Sequence, residues 1–336
     1  MKIGVIGAGT WGTALAIVLA HNGHQVMLRT RRQEDADWLR TKRSHKNLPG
    51  AVIPANVTIT MDLVNTVVES DLLVLAVASP YIRSTAREIA SYVKPGQIVV
   101  DVAKGIESGS LMTMTEIIES EIPGVDAAVL SGPSHAEEVA RALPTTIVAG
   151  AHREHIAKTI QDVFMSPYFR VYISPDLKGI EIGGALKNVI ALAAGIADGI
   201  GYGDNSKAAL ITRGIAEITR LGIKMGGKAE TFAGLSGIGD LVVTCASMHS
   251  RNRRAGILIG QGKTAQEAMH EVGQVVEGVY AAKSGKELAE KYQVQMPIVE
   301  EVNRILFEGK PVKDAVQDLM MRDRRTEHSG LKFEMP

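Results

Sequence analysis

Residues 3–19 constrain this chain more than any other stretch. The apolar run Ile3–Ile6 has the length and composition of a buried strand. It leads directly into Gly7-Ala8-Gly9-Thr10-Trp11-Gly12, and an Ala/Leu/Val-rich helical pattern follows to about Leu19. Strand, G-x-G-x-x-G turn and helix in this order form the fingerprint of a dinucleotide-binding βαβ unit. Gly7 permits the tight turn, and Gly9 lets the backbone approach a pyrophosphate. Gly12 lets helix and strand pack closely, and the helix N-terminus stabilises the anion. The alternative is a Gly-rich turn with no ligand, and the strand-to-helix context argues against it.

Downstream the pattern continues in the same sense. Gln25–Thr30, Val57–Thr60, Leu72–Ala76, Gln97–Val102, Ala127–Leu130, Thr145–Ala149 and Phe169–Ile173 read as strands. Helical patterns at Ile82–Val93, Ser110–Glu121 and Arg153–Met165 separate several of them. Such alternation predicts an α/β fold, a Rossmann-type mainly parallel sheet with helices on both faces. From Gly179 onward strand signals give way to long helical patterns, beginning with Ile180–Ala197 and Lys207–Met225. The expected organisation is therefore a dinucleotide-binding domain, residues 1–178, and a C-terminal all-α substrate domain, residues 179–336. The charged tail Arg322–Pro336 is expected to be solvated.

Composition excludes several classes. Lys and Arg together number 37, as do Asp and Glu, and aromatic residues are only 4%. With neither a basic footprint nor stacking platforms, nucleic acid is not an expected partner. No segment reads as long and apolar enough to span a membrane; the best, Val189–Ala197, is too short. Glycines interrupt the N-terminal apolar run, which argues against a signal peptide. Cys245 is the only cysteine. No internal disulfide can form, which suits a reducing, cytoplasmic setting. Cys245 itself reads as core. The histidines show no metal-ligand spacing, so no metal is expected.

Several positions could carry chemistry. The second strand ends in Arg29-Thr30-Arg31-Arg32, with no acid before Glu34. An acid there would hold a ribose 2′-OH, whereas arginine accommodates a 2′-phosphate. Arg31 and Arg32 thus favour NADP(H), with NAD(H) still open; the alternative is a solvated basic turn. Lys187 is the lone charge between Glu181 and Asp198, in a helix otherwise small or apolar but for Asn188. Burial there would lower its pKa and suit it to proton transfer. A lysine snorkelling from a helix end is an equally good reading. Asp240, in Ser236–Leu241, could cap the helix that follows or pair with a buried lysine. Lys104 and the Ser131–His135 loop lie just past strand ends, where open α/β sheets bind ligands. Ser250-Arg251-Asn252-Arg253-Arg254 suits phosphate or carboxylate recognition, or is a solvated helix start.

Together these motifs resemble one family, the bacterial-type NAD(P)-dependent sn-glycerol-3-phosphate dehydrogenases. The resemblance rests on the Gly7–Gly12 turn, Ala103-Lys104-Gly105, Ser131-Gly132-Pro133-Ser134, Ala185-Leu186-Lys187-Asn188 and Gly237–Leu241. Ser250-Arg251-Asn252 and Val276-Glu277-Gly278 complete it, in order along nearly the whole chain. It implies reversible reduction of dihydroxyacetone phosphate, a phosphorylated small molecule, to a phospholipid precursor. Lys187 would be the general acid/base, poised by Lys104 and Asp240, with Lys104 and Arg251 repelling its charge. Lys104, Gly132, Ser134, Asp240, Ser250, Arg251 and Asn252 would line the substrate site. Thr10, Trp11, Arg31, Arg32, Lys104, Ala136, Arg251, Val275 and Glu277 would contact the cofactor. The helical domain could support a homodimer. The chain departs from the family pattern at Leu28-Arg29, where Trp is usual near position 28. It also lacks a tyrosine before Leu48-Pro49. The alternatives are a two-domain hydroxyacid dehydrogenase and a non-catalytic NADP(H) sensor.

Overall fold

The computed structural model describes residues 1–324, 326 and 327. The tail expected to be solvated therefore lies largely outside the described residues. Every expected strand is present: β1 Lys2–Ile6, β2 Gln25–Arg29, β3 Val57–Thr60, β4 Leu72–Leu75, β5 Ile98–Asp101, β6 Asp126–Ser131, β7 Thr145–Ala151 and β8 Phe169–Ser174. They form one eight-stranded sheet in the order β3-β2-β1-β4-β5-β6-β7-β8. Neighbours are parallel except β6 and β7, which run antiparallel. Pairing of Ile6 with both Arg29 and Leu75, and of Asp101 with Leu75 and Val129, brings the carboxyl ends of β2, β1, β4, β5 and β6 to one edge. The order reverses at β1, with β2 on one side and β4 on the other, and this switch point is where such sheets open a crevice.

Helices α1 Thr10–His21, α2 Gln33–Lys42, α3 Leu63–Val68, α4 Ile82–Ile89, α5 Met114–Glu121, α6 Ala136–Val139 and α7 Glu154–Phe164 accompany the sheet. One sheet face packs Ile3, Val5, Leu28 and Val100 against α1 and α7. The other packs Ile6, Leu73, Leu75 and Val99 against α4 and α5. The expectation of a helix from Ser110 is corrected: Leu111 turns at φ 61°, and α5 starts only after Thr113. There Thr113 and Glu116 form a reciprocal capping box, which fixes the start.

After β8 only helices follow among the described residues: α8 Leu177–Gly199, α9 Asp204–Lys224, α10 Ala229–Phe232, α11 Asp240–Ala246, α12 Arg251–Gly260, α13 Ala265–Val272, α14 Glu277–Lys291, α15 Pro297–Phe307 and α16 Val312–Met320. The central helix is longer than the pattern suggests. Asp176 caps α8 by accepting from the Gly179 amide, so the helix begins three residues earlier and spans 23. That length and apolar character would cross a membrane, contrary to the expectation from sequence, yet its apolar window is entirely buried inside the protein. It is apolar all round because helices surround it. Contact with α12 is closest: a Cβ on Gly256 would sit 2.2 Å from the Leu192 carbonyl oxygen, so only glycine permits this approach. The approach brings the N-terminus of α12 beside the polar segment of α8.

Candidate active site

Lys187 and Asn188 lie midway along α8, both buried. The snorkelling reading fails, since Lys187 is only 5% exposed. Its ammonium donates to Asp240 Oδ1 and, at 2.6 Å, to Thr244 Oγ1. Asp240 opens α11 and is 1% exposed. Capping belongs instead to Gly239, because Leu235–Gly239 winds as a π-turn continuous with α11. The Asp240 side chain is thereby free to face inward. Its other oxygen, Oδ2, accepts from Lys104 Nζ at 2.8 Å, and Lys104 also donates to the Gly132 carbonyl at 2.9 Å.

One buried carboxylate thus serves two lysines. With Lys187 protonated, two ammonium groups share the single Asp240 carboxylate, and the cluster carries one net positive charge. Burial and the Lys104 charge push the Lys187 ammonium down to about 7 against the pull of Asp240. Burial pushes the Asp240 carboxyl up, but the two lysines outweigh it and hold it below the usual carboxylate range. Arg251 sits exposed at the first turn of α12, where Glu277 and Glu137 attract its guanidinium.

Asn188 and Asn252 lock this arrangement. Asn252 Nδ2 donates to Asn188 Oδ1 at 2.8 Å, and Asn252 Oδ1 accepts from the Gly278 amide at 2.8 Å. Three helices, α8, α12 and α14, are joined through one amide. Only one Asn252 N–H is left for a ligand, so its main service is to place Arg251 and Ser250. Ser250 caps α12 by accepting from the Arg253 amide, which leaves its hydroxyl proton available. Arg253 in turn reaches Asp198 at 2.8 Å and ties α12 to the end of α8. Ser134 spends its own proton on the Gly132 carbonyl at 3.0 Å.

At the crevice end, Gly7 has φ +117°, and its amide bonds to the Arg29 carbonyl at 3.0 Å. A Cβ on Gly12 would lie 1.9 Å from the Gly7 carbonyl oxygen. A Cβ on Gly9, in contrast, would meet nothing within 4 Å. No side chain caps α1, whose first turn begins at Thr10. Open space in front of uncapped helix amides fits a dinucleotide pyrophosphate. Arg31 and Arg32 are exposed beyond β2, and Trp11 is half-buried against the sheet core. Ala136 opens α6. Glu277 opens α14 and accepts from the Ser79 amide and hydroxyl, at 3.1 and 2.5 Å, while Val275 precedes it.

Two halves of the chain match family models in sequence. Residues 2–157 match the N-terminal region of NAD-dependent glycerol-3-phosphate dehydrogenase, and residues 176–317 match its C-terminal region. The glycerol-3-phosphate dehydrogenase [NAD(P)+] of Agathobacter rectalis is 60% identical over 334 residues, covering 99% of each chain. That of Fusobacterium nucleatum is 56% identical over 97% of this chain and 98% of its own. The crystal structure of glycerol-3-phosphate dehydrogenase from Coxiella burnetii superposes with a TM-score of 0.92 at 36% identity, covering 96% of this chain and 99% of its own. The chain belongs to the NAD-dependent glycerol-3-phosphate dehydrogenase family. It is an NAD(P)-dependent oxidoreductase, and full-length matches in both halves leave the sensor and hydroxyacid dehydrogenase alternatives unfavoured.

Within this family member, the structure brings Lys104, Gly132, Lys187 and Asp240 into direct contact. Ser250, Arg251 and Asn252 gather at the start of α12. Thr244 was missed from sequence, although Asp240 and Thr244 stand four apart on a helix, the spacing that shares a face. Ser79 was also missed; nothing local in the sequence links it to Glu277, 198 residues away.

Proposed function

We propose that Lys187 is the proton-transferring group in the interconversion of dihydroxyacetone phosphate and sn-glycerol 3-phosphate, and that the buried Lys104–Asp240–Lys187 contact is what equips it. The chain catalyses that NAD(P)-dependent reaction, which supplies a precursor for glycerophospholipid synthesis. The nicotinamide, when bound, supplies the hydride. In the reductive direction Lys187 gives a proton to the C2 oxygen; in the oxidative direction it takes one from the C2 hydroxyl. A group near neutrality can do both. Asp240 orients the ammonium, and burial, aided by the Lys104 charge, keeps it acidic. Arg251, with Ser250 and the remaining Asn252 N–H, faces the substrate phosphate and holds the carbonyl in reach. Gly132 and Ser134 shape the loop opposite.

The dinucleotide rests on the Gly7–Gly12 turn, with Thr10, Trp11, Arg31 and Arg32 toward its adenosine end and Ala136, Val275 and Glu277 toward the helical half. The two exposed arginines favour NADP(H) over NAD(H). The same reading divides the chain at residues 178 and 179, into a cofactor-binding and a substrate-binding domain. It includes a homodimer, read out by sedimentation, and a cytoplasmic location, in keeping with the lone buried cysteine. The direct test is oxidation of NADPH on addition of dihydroxyacetone phosphate. Turnover that instead requires a carboxylate substrate would overturn the assignment.

A further inference from the structure

Tyr81 is an exposed aromatic residue that the site described so far does not use. It ends the short 3-10 turn Ser79–Tyr81 just past β4, while Arg31 lies just past β2. These strands flank β1 on opposite sides, so the Gly-rich turn emerges between them. Across that gap the Arg31 guanidinium carbon lies 5.3 Å from the Tyr81 ring centroid, within range of a cation–π contact. Both residues are exposed, Tyr81 at 45%. An exposed ring on a free loop would mean little. Here the turn is pinned. Ser79 is held by Glu277 through its amide and its hydroxyl, and Ser84 Oγ donates to the Tyr81 carbonyl at 3.0 Å. Gly105 backs closely onto Ser79, where a Cβ would lie 2.3 Å from Ser79 Cβ. The protein thus anchors a turn whose exposed ring meets a charged side chain over the crevice.

We propose that Tyr81 is a positioning and specificity-determining residue: its ring holds Arg31 over the crevice, so that the guanidinium meets the 2′-phosphate of NADP(H) already oriented. A free arginine surrenders its rotamer freedom on binding; one resting on a fixed ring surrenders less. NAD(H) has no 2′-phosphate and draws no benefit. The inference rests on Arg31 facing that phosphate.

The test compares calorimetric Kd values for adenosine 2′,5′-bisphosphate and ADP in the wild type, Tyr81→Leu, Tyr81→Phe, Arg31→Ser and the Arg31→Ser/Tyr81→Leu double variant. Tyr81→Leu is expected to weaken the bisphosphate by about two- to fivefold, the scale of an exposed cation–π contact, and to leave ADP unchanged. Tyr81→Phe keeps the ring and restores the wild-type value. In the Arg31→Ser background, Tyr81→Leu adds nothing. In turnover the loss falls on KM for NADPH rather than on kcat. Equal weakening of both nucleotides would make Tyr81 a wall for adenine and overturn the proposal, as would a Tyr81→Leu effect that persists without Arg31. An Arg31→Ser variant with an unchanged bisphosphate-to-ADP ratio would instead refute the cofactor reading beneath it.

Discussion

The two ends of the catalytic cleft handle charge in opposite ways. At the crevice beside β1, the groups assigned to the cofactor are backbone amides and exposed arginines, Arg31 and Arg32. At α8, the groups assigned to proton transfer are sealed in: Lys187 and Asp240 are 5% and 1% exposed. Binding an anion needs only attraction, and solvent-exposed cations supply it without desolvation cost. Moving a proton at neutral pH needs a lysine stripped of its preference for the charged form. Burial achieves that, and the carboxylate keeps the site from losing its proton altogether. The surrounding structure pays in polar bonds, through Thr244, Asn188 and Asn252.

The sharpest way to break this contrast is to remove the buried amine. Lys187→Met keeps length and apolar character, so the fold and NADPH binding should survive. The rate should fall about 10²–10⁴-fold. A folded Lys187→Met protein with most of its kcat would end the mechanism and direct attention to Lys104. The wild-type pH profile carries the same signature with a definite sign. Reduction needs protonated Lys187, so its rate should fall as pH rises through about 7; oxidation needs the neutral amine and should rise over the same interval. Profiles flat through neutrality in both directions would mean that the desolvated lysine is not the titrating group.

Arg251 tests the boundary between the two regimes, since it is exposed yet adjoins the buried network. Arg251→Ala should raise KM for dihydroxyacetone phosphate about 10- to 100-fold, the value of a hydrogen bond to a charged group. Unphosphorylated dihydroxyacetone should suffer far less. An equal loss on both substrates would remove Arg251 from the phosphate. Cofactor Kd must be followed in parallel, because Arg251 also faces Glu277.

The contrast also explains what could be read from the sequence. Central strands such as β4 and β5 are buried on both faces and nearly all apolar, whereas the edge strands β3 and β8 alternate apolar with polar residues; both patterns were legible. So was Lys187, because a lone charge in an apolar helix stands out. The helix α2 was not. Its sequence QEDADWLRTK buries only Ala36 and Leu39, and a polar helix shows no apolar periodicity. Helices α3 and α6, with 6 and 4 residues, are too short to show a period at all. The π-turn at Leu235–Gly239 reads as a loop because three of the six residues from Gly234 to Gly239 are glycine. That turn aims Asp240, so the orientation of the carboxylate was hidden although its identity was not. The bond from Asn252 to Asn188 and Gly278 depends on tertiary packing alone.

At the exposed end the expected effects are smaller. Replacing both Arg31 and Arg32 with Ser should lower kcat/KM for NADPH about tenfold, near the lower end for a charge-assisted hydrogen bond because both side chains are wet. NADH should change little, so the preference should narrow or invert. Rising salt should mimic the substitution in the wild type, since exposed charges are screened. Equal losses for both cofactors would show that these arginines do not select between them.

The smallest effect is expected at Cys245, and it tests whether the buried end stays sealed. This thiol lies on α11 between the Asp240–Thr244 turn and α12, with no solvent exposure. Burial pushes it up to about 12, so almost none is thiolate at neutral pH, and the thiolate is the nucleophile. Iodoacetamide should therefore leave the native enzyme fully active, while the unfolded chain takes up one equivalent at its single cysteine. The charge on Lys187 is felt at this sulfur, so the two groups share one desolvated space. Native alkylation at the rate of a free thiol, with loss of activity, would mean that α8 and α11 separate on that timescale. Lys187 would then meet water, its ammonium would regain its ordinary acidity, and the distinction between a wet binding end and a dry proton-transfer end would not hold.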